Sequence, residues 1–174
     1  MYGAFQIVLG FVPTRRSIFD KEPAVKNKMA VRNAIDGLID DSVKIIDIDW
    51  LNEDGFLVDQ RDVKRVVEHF RQKNVDAIFI PHCNFGSEEV VGKLAKSVNK
   101  PVLLWGPRDE MPPSDFAIRQ TDTQCGLFAS SKALLRYGVP FTYIENCKVT
   151  AVTFTKGFKD FISVASVVKA FQHM

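Results

Sequence analysis

The sequence has only 3 cysteines in 174 residues. Cys83, Cys125 and Cys147 are far apart, and no pair stands at Cys-x-x-Cys spacing. Neither a disulfide framework nor a common zinc site is expected, and a reducing, cytoplasmic location follows. Glycine is sparse where it would carry chemistry. Gly10 stands alone after the first apolar run, and neither Gly-x-Gly-x-x-Gly nor Gly-x-x-x-x-Gly-Lys-Ser/Thr occurs, which argues against a dinucleotide or nucleoside triphosphate site. Charge of one sign is lacking too. The 23 Lys and Arg against 21 Asp and Glu leave +2, no field to collect nucleic acid or anionic lipid. The first apolar run, Phe5 to Val12, meets Arg15 and Arg16 too early for a signal peptide or a membrane span. There is no low-complexity tract and no internal repeat.

Core material is abundant instead. Hydrophobic residues make up 46% of the chain and include 14 Phe, so disorder is not expected. A chain of this length buries roughly 70% of its unfolded surface and needs no staple.

Apolar spacing alternates between strand and helix. Phe5 to Phe11 predicts a buried strand that ends before Pro13. Glu22 to Asp41 predicts a helix with Pro23 near its first position, where a missing N–H is harmless. Its Val31, Ile35, Leu38 and Ile39 share one face, and Gly37 weakens its end. A strand over Lys44 to Asp49 and a turn at Asn52 to Gly55 follow. Asp59 is a capping candidate for a helix reaching Lys73, with Val63, Val66, Val67 and Phe70 at i, i+3, i+4 and i+7. Ala77 to Pro81 is a strand that ends at its proline. Ser87 is expected to cap a helix with Glu88 and Glu89 in its first turn and Val90, Val91, Leu94, Ala95 and Val98 as its stripe. Pro101 to Trp105 is the fourth strand. Gly106 to Thr123, with Pro107, Pro112 and Pro113, is irregular. A helix over Gln124 to Tyr137 stops at Gly138 and Pro140. A short strand over Phe141 to Ile144 and a helix over Lys156 to Phe171, burying Phe161, Ile162, Ala165 and Val168, complete the pattern.

This alternation means right-handed crossovers. It predicts a single three-layer α/β domain, doubly wound and Rossmann-like, with a mostly parallel sheet and helices on both faces. Ligands in such folds sit beyond the carboxyl ends of the strands. That rule selects the loops at residues 12–21, 50–58, 82–87 and 106–123.

Each loop carries a chemical reading beside a plainer one. Arg15 and Arg16 can clamp a hydroxyl-rich or anionic ligand, or one of them can pair with Asp20 or Glu22 in a solvated loop. In the stretch from Pro81 to Glu89, His82 is of the type that serves as base or metal ligand. Cys83 is a nucleophile type, Phe85 can stack on a sugar face, and Gly86 and Ser87 can offer free N–H groups. Equally, Ser87 caps, Gly86 turns the chain and Cys83 fills the core. Trp105 and the Pro-rich stretch read as a lid or as core. Asp47, Asp49, Glu53 and Asp54 lack the calcium-loop pattern and read as a solvated turn. A flavodoxin-like phosphate site would need more than Thr14, Ser17 and Ser87.

Several separated blocks resemble one family. Phe79-Ile-Pro-His-Cys-Asn-Phe-Gly-Ser-Glu88, Lys100-Pro-Val-Leu-Leu-Trp-Gly-Pro-Arg108, Thr121-Asp-Thr-Gln-Cys-Gly126 with Tyr137-Gly-Val-Pro-Phe141, and Gly10-Phe-Val-Pro-Thr-Arg-Arg16 are similar to the L-fucose isomerase and L-arabinose isomerase superfamily. The resemblance implies the N-terminal domain of a longer, three-domain enzyme that interconverts an aldose and a ketose. It implies a divalent metal, usually manganese, held together with the proton-moving carboxylates in later domains. This segment would then carry no catalytic residue and no metal ligand of its own. Its loops would recognise sugar at the active site of a neighbouring subunit in a trimer or hexamer. The family's Arg falls on Arg15 or Arg16. Its loop aromatic, a Trp in fucose isomerase proper, falls on Cys83, a departure that either argues against L-fucose itself as the substrate or moves stacking to Phe85. With His82, these are the expected substrate-binding residues. A stand-alone sugar-binding or regulatory module of the same fold remains the alternative.

Overall fold

The computed structural model describes residues 6–110 and 120–172. Phe5 of the expected first strand, Pro112 and Pro113 of the irregular stretch, and His173 lie outside them. The elements run β1 (Ile7–Phe11), α1 (Lys21–Asp36), β2 (Val43–Ile46), a 3-10 turn (Gln60–Asp62), α2 (Val63–Gln72), β3 (Ala77–Pro81), α3 (Glu88–Val98), β4 (Val102–Trp105), α4 (Thr123–Arg136), β5 (Thr142–Tyr143) and α5 (Val152–Gln172).

The strands form one sheet in the order β2-β1-β3-β4-β5, with every pair parallel. The chain therefore moves one way from β1 to β2, then returns past β1 to β3 and continues outward. Right-handed crossovers in opposite directions place their helices on opposite faces. The two apolar cores follow from this. Ile7, Leu9, Phe11, Ala77, Phe79, Leu103 and Trp105 point to α1 and α5. Ile78, Ile80, Val102 and Leu104 point to α2, α3 and α4. Successive residues of β3 and β4 thus alternate between two dry layers, which is why these strands read as unbroken apolar runs. Gly10 permits the close seating of α2, since a Cβ there would lie 2.8 Å from the Phe70 ring.

Element ends differ from expectation for local reasons. α1 stops at Asp36 rather than Asp41, with Gly37 as its C-cap. Leu38 and Ile39 still pack on the core, so the helical spacing outlives the helix. Asp40 then turns the chain, accepting from Ser42 N at 2.9 Å through its side chain and from Val43 N at 3.0 Å through its carbonyl. Asp59 caps the 3-10 turn ahead of α2 rather than α2 itself. Ser87 makes no side-chain cap to α3. α5 begins one turn earlier than expected and buries Phe154 and Phe158 as well as Phe161 and Ala165. Trp105 is core, with its ring 4.6 Å from that of Phe154. Ile162 and Val168 are only partly buried.

Candidate functional site

β1 and β3 lie side by side, and the chain leaves them in opposite directions. Their carboxyl ends open the crevice in which doubly wound folds hold ligands. Two loops meet there, residues 12–20 after β1 and residues 82–87 after β3. Thr14 joins them. Its N–H donates to Pro81 O at 3.0 Å, and its carbonyl accepts from Cys83 N at 3.0 Å. Its hydroxyl donates to Leu57 O at 2.8 Å and accepts from Ser87 N at 3.2 Å. Asn84 adds a second tie. Its Oδ1 accepts from Arg16 N at 2.7 Å and from Gly86 N at 3.2 Å. Ser87 donates its hydroxyl to Arg15 O at 3.1 Å, and the N–H groups expected to be free at Gly86 and Ser87 are both taken, by Asn84 and Thr14.

The structure sorts the five expected site residues into two kinds. Two are buried and a third, Arg15, is held by an ion pair. Cys83 is 1% exposed and packs with Ala24 and Phe56. Burial pushes its thiol pKa well up, so it stays protonated, which is the state of an inert cysteine. His82 is fully buried. Its Nδ1 lies 2.9 Å from Phe85 O. A carbonyl only accepts, so Nδ1 carries the proton and Nε2 the lone pair. No described residue partners Nε2. Burial holds the His82 pKa down to about 4, against the opposing pull of the Phe85 carbonyl and Glu88. The ring is neutral at physiological pH. Arg15 is tied to Asp54, with Nε at 3.2 Å and Nη2 at 3.1 Å, and its side chain is 16% exposed.

Arg16 and Phe85 reach the surface. The Arg16 guanidinium lies over the Phe85 ring, 4.1 Å from its centroid, and pairs with Glu88. Phe19 stacks near-parallel on Phe85 at 6.1 Å. The Arg16 and Glu88 side chains are 34% and 31% exposed. The solvated pairings of Arg15 or Arg16 with Asp20 or Glu22 do not form. Their partners, Asp54 and Glu88, come from other loops. The acids after β2 are likewise counter-ions: Asp49 pairs with Lys28, Glu53 with Lys21, and Asp47 with Arg32 at 3.6 Å.

Sequence reasoning missed Thr14, Asn84 and Asp109 as organisers. Asn84 had a local signal, since Asn two residues before Gly is a side-chain-capped turn. Asp109 caps α4 from 14 residues upstream, accepting from Thr123 N at 2.9 Å and Gln124 N at 3.2 Å. No local pattern marks it. A cleft of about 720 Å³ lies at the opposite, amino-terminal edge, around Val75 and Lys169. None of the expected site residues lines it, and its Lys169 is bound to Asp76 at 2.7 Å. Among the described residues no three His, Cys, Asp or Glu converge as ligands. They do not fit a divalent metal. No described helix is long and apolar enough to cross a membrane.

The family model described as "Fucose/sulfoquinovose isomerase, N-terminal domain" matches residues 10–172. The chain belongs to that family. No curated protein matches this N-terminal domain. Several solved structures share a distant likeness. An azoreductase from Bacillus anthracis str. Sterne is 13% identical over 93% of this domain and 98% of its own chain, with a TM-score of 0.37. The response regulator domain of Thermotoga maritima CheB is 15% identical over 91% and 93%, with a TM-score of 0.43. A solute binding protein of an ABC transporter from Bacillus halodurans C-125, with bound myo-inositol, is 12% identical over 85% and 58%, with a TM-score of 0.35. Scores this low carry no argument about what the domain binds.

Proposed function

We propose that this domain supplies sugar-recognition loops to a metal-dependent aldose–ketose isomerase of the cytoplasm. Its loops would complete the active site of a neighbouring subunit in a homo-oligomer. Manganese, or another divalent ion, and the groups that move the proton would belong to other domains of the whole enzyme, since the described residues here do not fit a metal. The observation that supports this reading best is the half-buried Arg16–Phe85–Glu88 group that reaches solvent at the β1/β3 crevice, on a chain of the isomerase family.

The physical division of labour is coherent. Moving a proton between adjacent carbons needs polarised oxygens and a fixed acid–base pair. Telling one epimer from another needs directional partners for the remaining hydroxyls. Loops pinned by Thr14 and Asn84 hold such partners at fixed positions and lose little freedom on binding. In this reading Arg16 and Phe85 touch the sugar, while Arg15, His82 and Cys83 hold the loops that carry them. The test is Arg16→Ala in the enzyme that contains this domain. Losing one charge-assisted hydrogen bond of about 1.5–3 kcal/mol should lower kcat/KM by about tenfold to a hundredfold. Wild-type kinetics on every pentose and deoxyhexose tried would remove the proposal's support.

A further inference from the structure

The family's two named sugars differ in charge, since fucose is uncharged and sulfoquinovose carries a sulfonate. The balance of charges at this edge of the sheet bears on that difference. Arg15, Arg16, Lys21 and Lys28 each lie at ion-pair distance from a carboxylate, of Asp54, Glu88, Glu53 and Asp49 in turn. Four cations face four anions, so this group of side chains carries no net positive charge to draw in an anion. Folds of this kind hold phosphate and sulfonate on free backbone N–H groups at helix starts. Here side chains take such groups just before α3 and at the start of α4, and the starts of α1 and α3, which have no side-chain cap, carry acids in their first turns instead. Gly86 N and Ser87 N donate to Asn84 and Thr14. At the start of α4, Thr123 N and Gln124 N donate to Asp109. Glu88 and Glu89 already occupy the first turn of α3, so an anion arriving there meets two carboxylates.

What stays open to solvent is a donor beside an acceptor. The Arg16 guanidinium rests flat on Phe85 and keeps its N–H edge for hydrogen bonds, and the Glu88 carboxylate can only accept. A hydroxyl both donates and accepts, so two neighbouring hydroxyls satisfy this pair together. A sulfonate or phosphate oxygen can only accept, and it would be repelled by Glu88 while leaving that carboxylate unsatisfied. We infer that this edge selects an uncharged sugar, held by two neighbouring hydroxyls between Arg16 and Glu88, and rejects sulfonated and phosphorylated sugars. The inference rests on the sugar-recognition role proposed above.

The experiment is an amide-resolved NMR titration of the 174-residue chain with L-fucose, sulfoquinovose and glucose 6-phosphate, beside Glu88→Gln. L-fucose should shift the amides of Arg16, Phe85 and Glu88, equally at low and high salt, because no net charge is involved. The charged sugars should bind at least about tenfold more weakly. In Glu88→Gln the gap should narrow, since L-fucose keeps only a weaker, neutral acceptor and the anions lose their repulsion. The same spectra report that the variant is folded. A charged sugar binding these residues as tightly as L-fucose, or a preference unchanged by Glu88→Gln, overturns this inference and leaves the sugar-recognition role standing. Silence at these loops with every sugar, at concentrations raised far above millimolar, overturns both.

Discussion

Gly126 of α4 lies directly against the backbone of Phe85. A Cβ at this glycine would stand 2.8 Å from Phe85 Cα and closer still to its carbonyl carbon and oxygen. The same carbonyl receives the His82 ring, so α4, the β3 loop and the buried histidine meet at one point. Gly126→Ala adds a good helix former, worth about 1 kcal/mol to the helix alone. Overpacking against backbone outweighs that gain, at about 1–3 kcal/mol or more. The variant should therefore melt lower than wild type, and its largest amide shifts should fall in residues 82–88. A melting temperature at or above wild type would mean that α4 and the loop are not packed this closely.

His82 makes stability depend on pH. Its folded pKa of about 4 lies below the ordinary 6.5. Between those values the unfolded chain binds a proton that the folded chain refuses, so stability rises with pH across the window. The full contribution is present above about pH 6.5 and is lost progressively as pH falls toward 4. Its size is on the order of 3 kcal/mol, of which about 2 should be gone by about pH 5. Urea denaturation at about pH 7.5 and about pH 5 measures it, with His82→Gln as the control. The variant should be less stable throughout and should show a smaller loss between the two pH values. An identical loss in both proteins would place the histidine in water.

Much of this fold was legible in the sequence because its signals are local. β3 and β4 are short apolar runs closed by Pro or Gly, and α2 and α3 carry stripes that the structure buries, except that Val67 and Val98 are only partly covered. The crevice was legible only as a set of loops. Which loop touches which depends on pairs far apart in the chain. Asn84 binds Arg16 across 68 residues, and Ser87 binds Thr14 across 73. Arg15 finds Asp54 across 39 residues rather than the nearby Asp20 or Glu22. The burial of His82 and Cys83 was hidden for a related reason. A polar or reactive residue after a strand looks the same in sequence whether it faces solvent or is roofed over by Gly86, Thr14 and Phe56.

Adjacent arginines with opposite surroundings should behave differently. Arg15→Ala removes a mostly buried partner from Asp54, leaving Lys21 at 3.5 Å as its remaining cation. It should cost about 1–2 kcal/mol of stability. Arg16→Ala removes a partly exposed pair, for which about 0–1 kcal/mol is the usual worth, plus a ring contact of similar size. Chemical denaturation should therefore separate the two variants, and sugar titration should separate them in the opposite sense. Arg16→Ala should lose the L-fucose response, whereas Arg15→Ala, wherever it is folded, should keep it. The reverse pattern would move the sugar contact to Arg15.

Alone, the 174-residue chain should fold and yet neither isomerise sugars nor hold manganese tightly. Folding is expected because both faces of its sheet are already covered, by α1 and α5 on one side and α2, α3 and α4 on the other. A tight manganese site needs several oxygen or nitrogen ligands converging on one point. Among the described residues no such group exists, and His82, of the type that ligates metals, is roofed over with its Nδ1 proton committed to Phe85. Sugar affinity should be weak, about millimolar or weaker. Two half-buried polar side chains, Arg16 and Glu88, offer few hydrogen bonds, and association still costs at least about 4 kcal/mol of lost freedom. Calorimetric titration with manganese, a melt with and without it, and a coupled isomerase assay on L-fucose and L-arabinose test all three points. An unshifted melt, no stoichiometric metal heat and no turnover above the metal-only blank are expected. Saturable, stoichiometric manganese binding, or turnover above that blank, would show that this chain carries a catalytic set of its own.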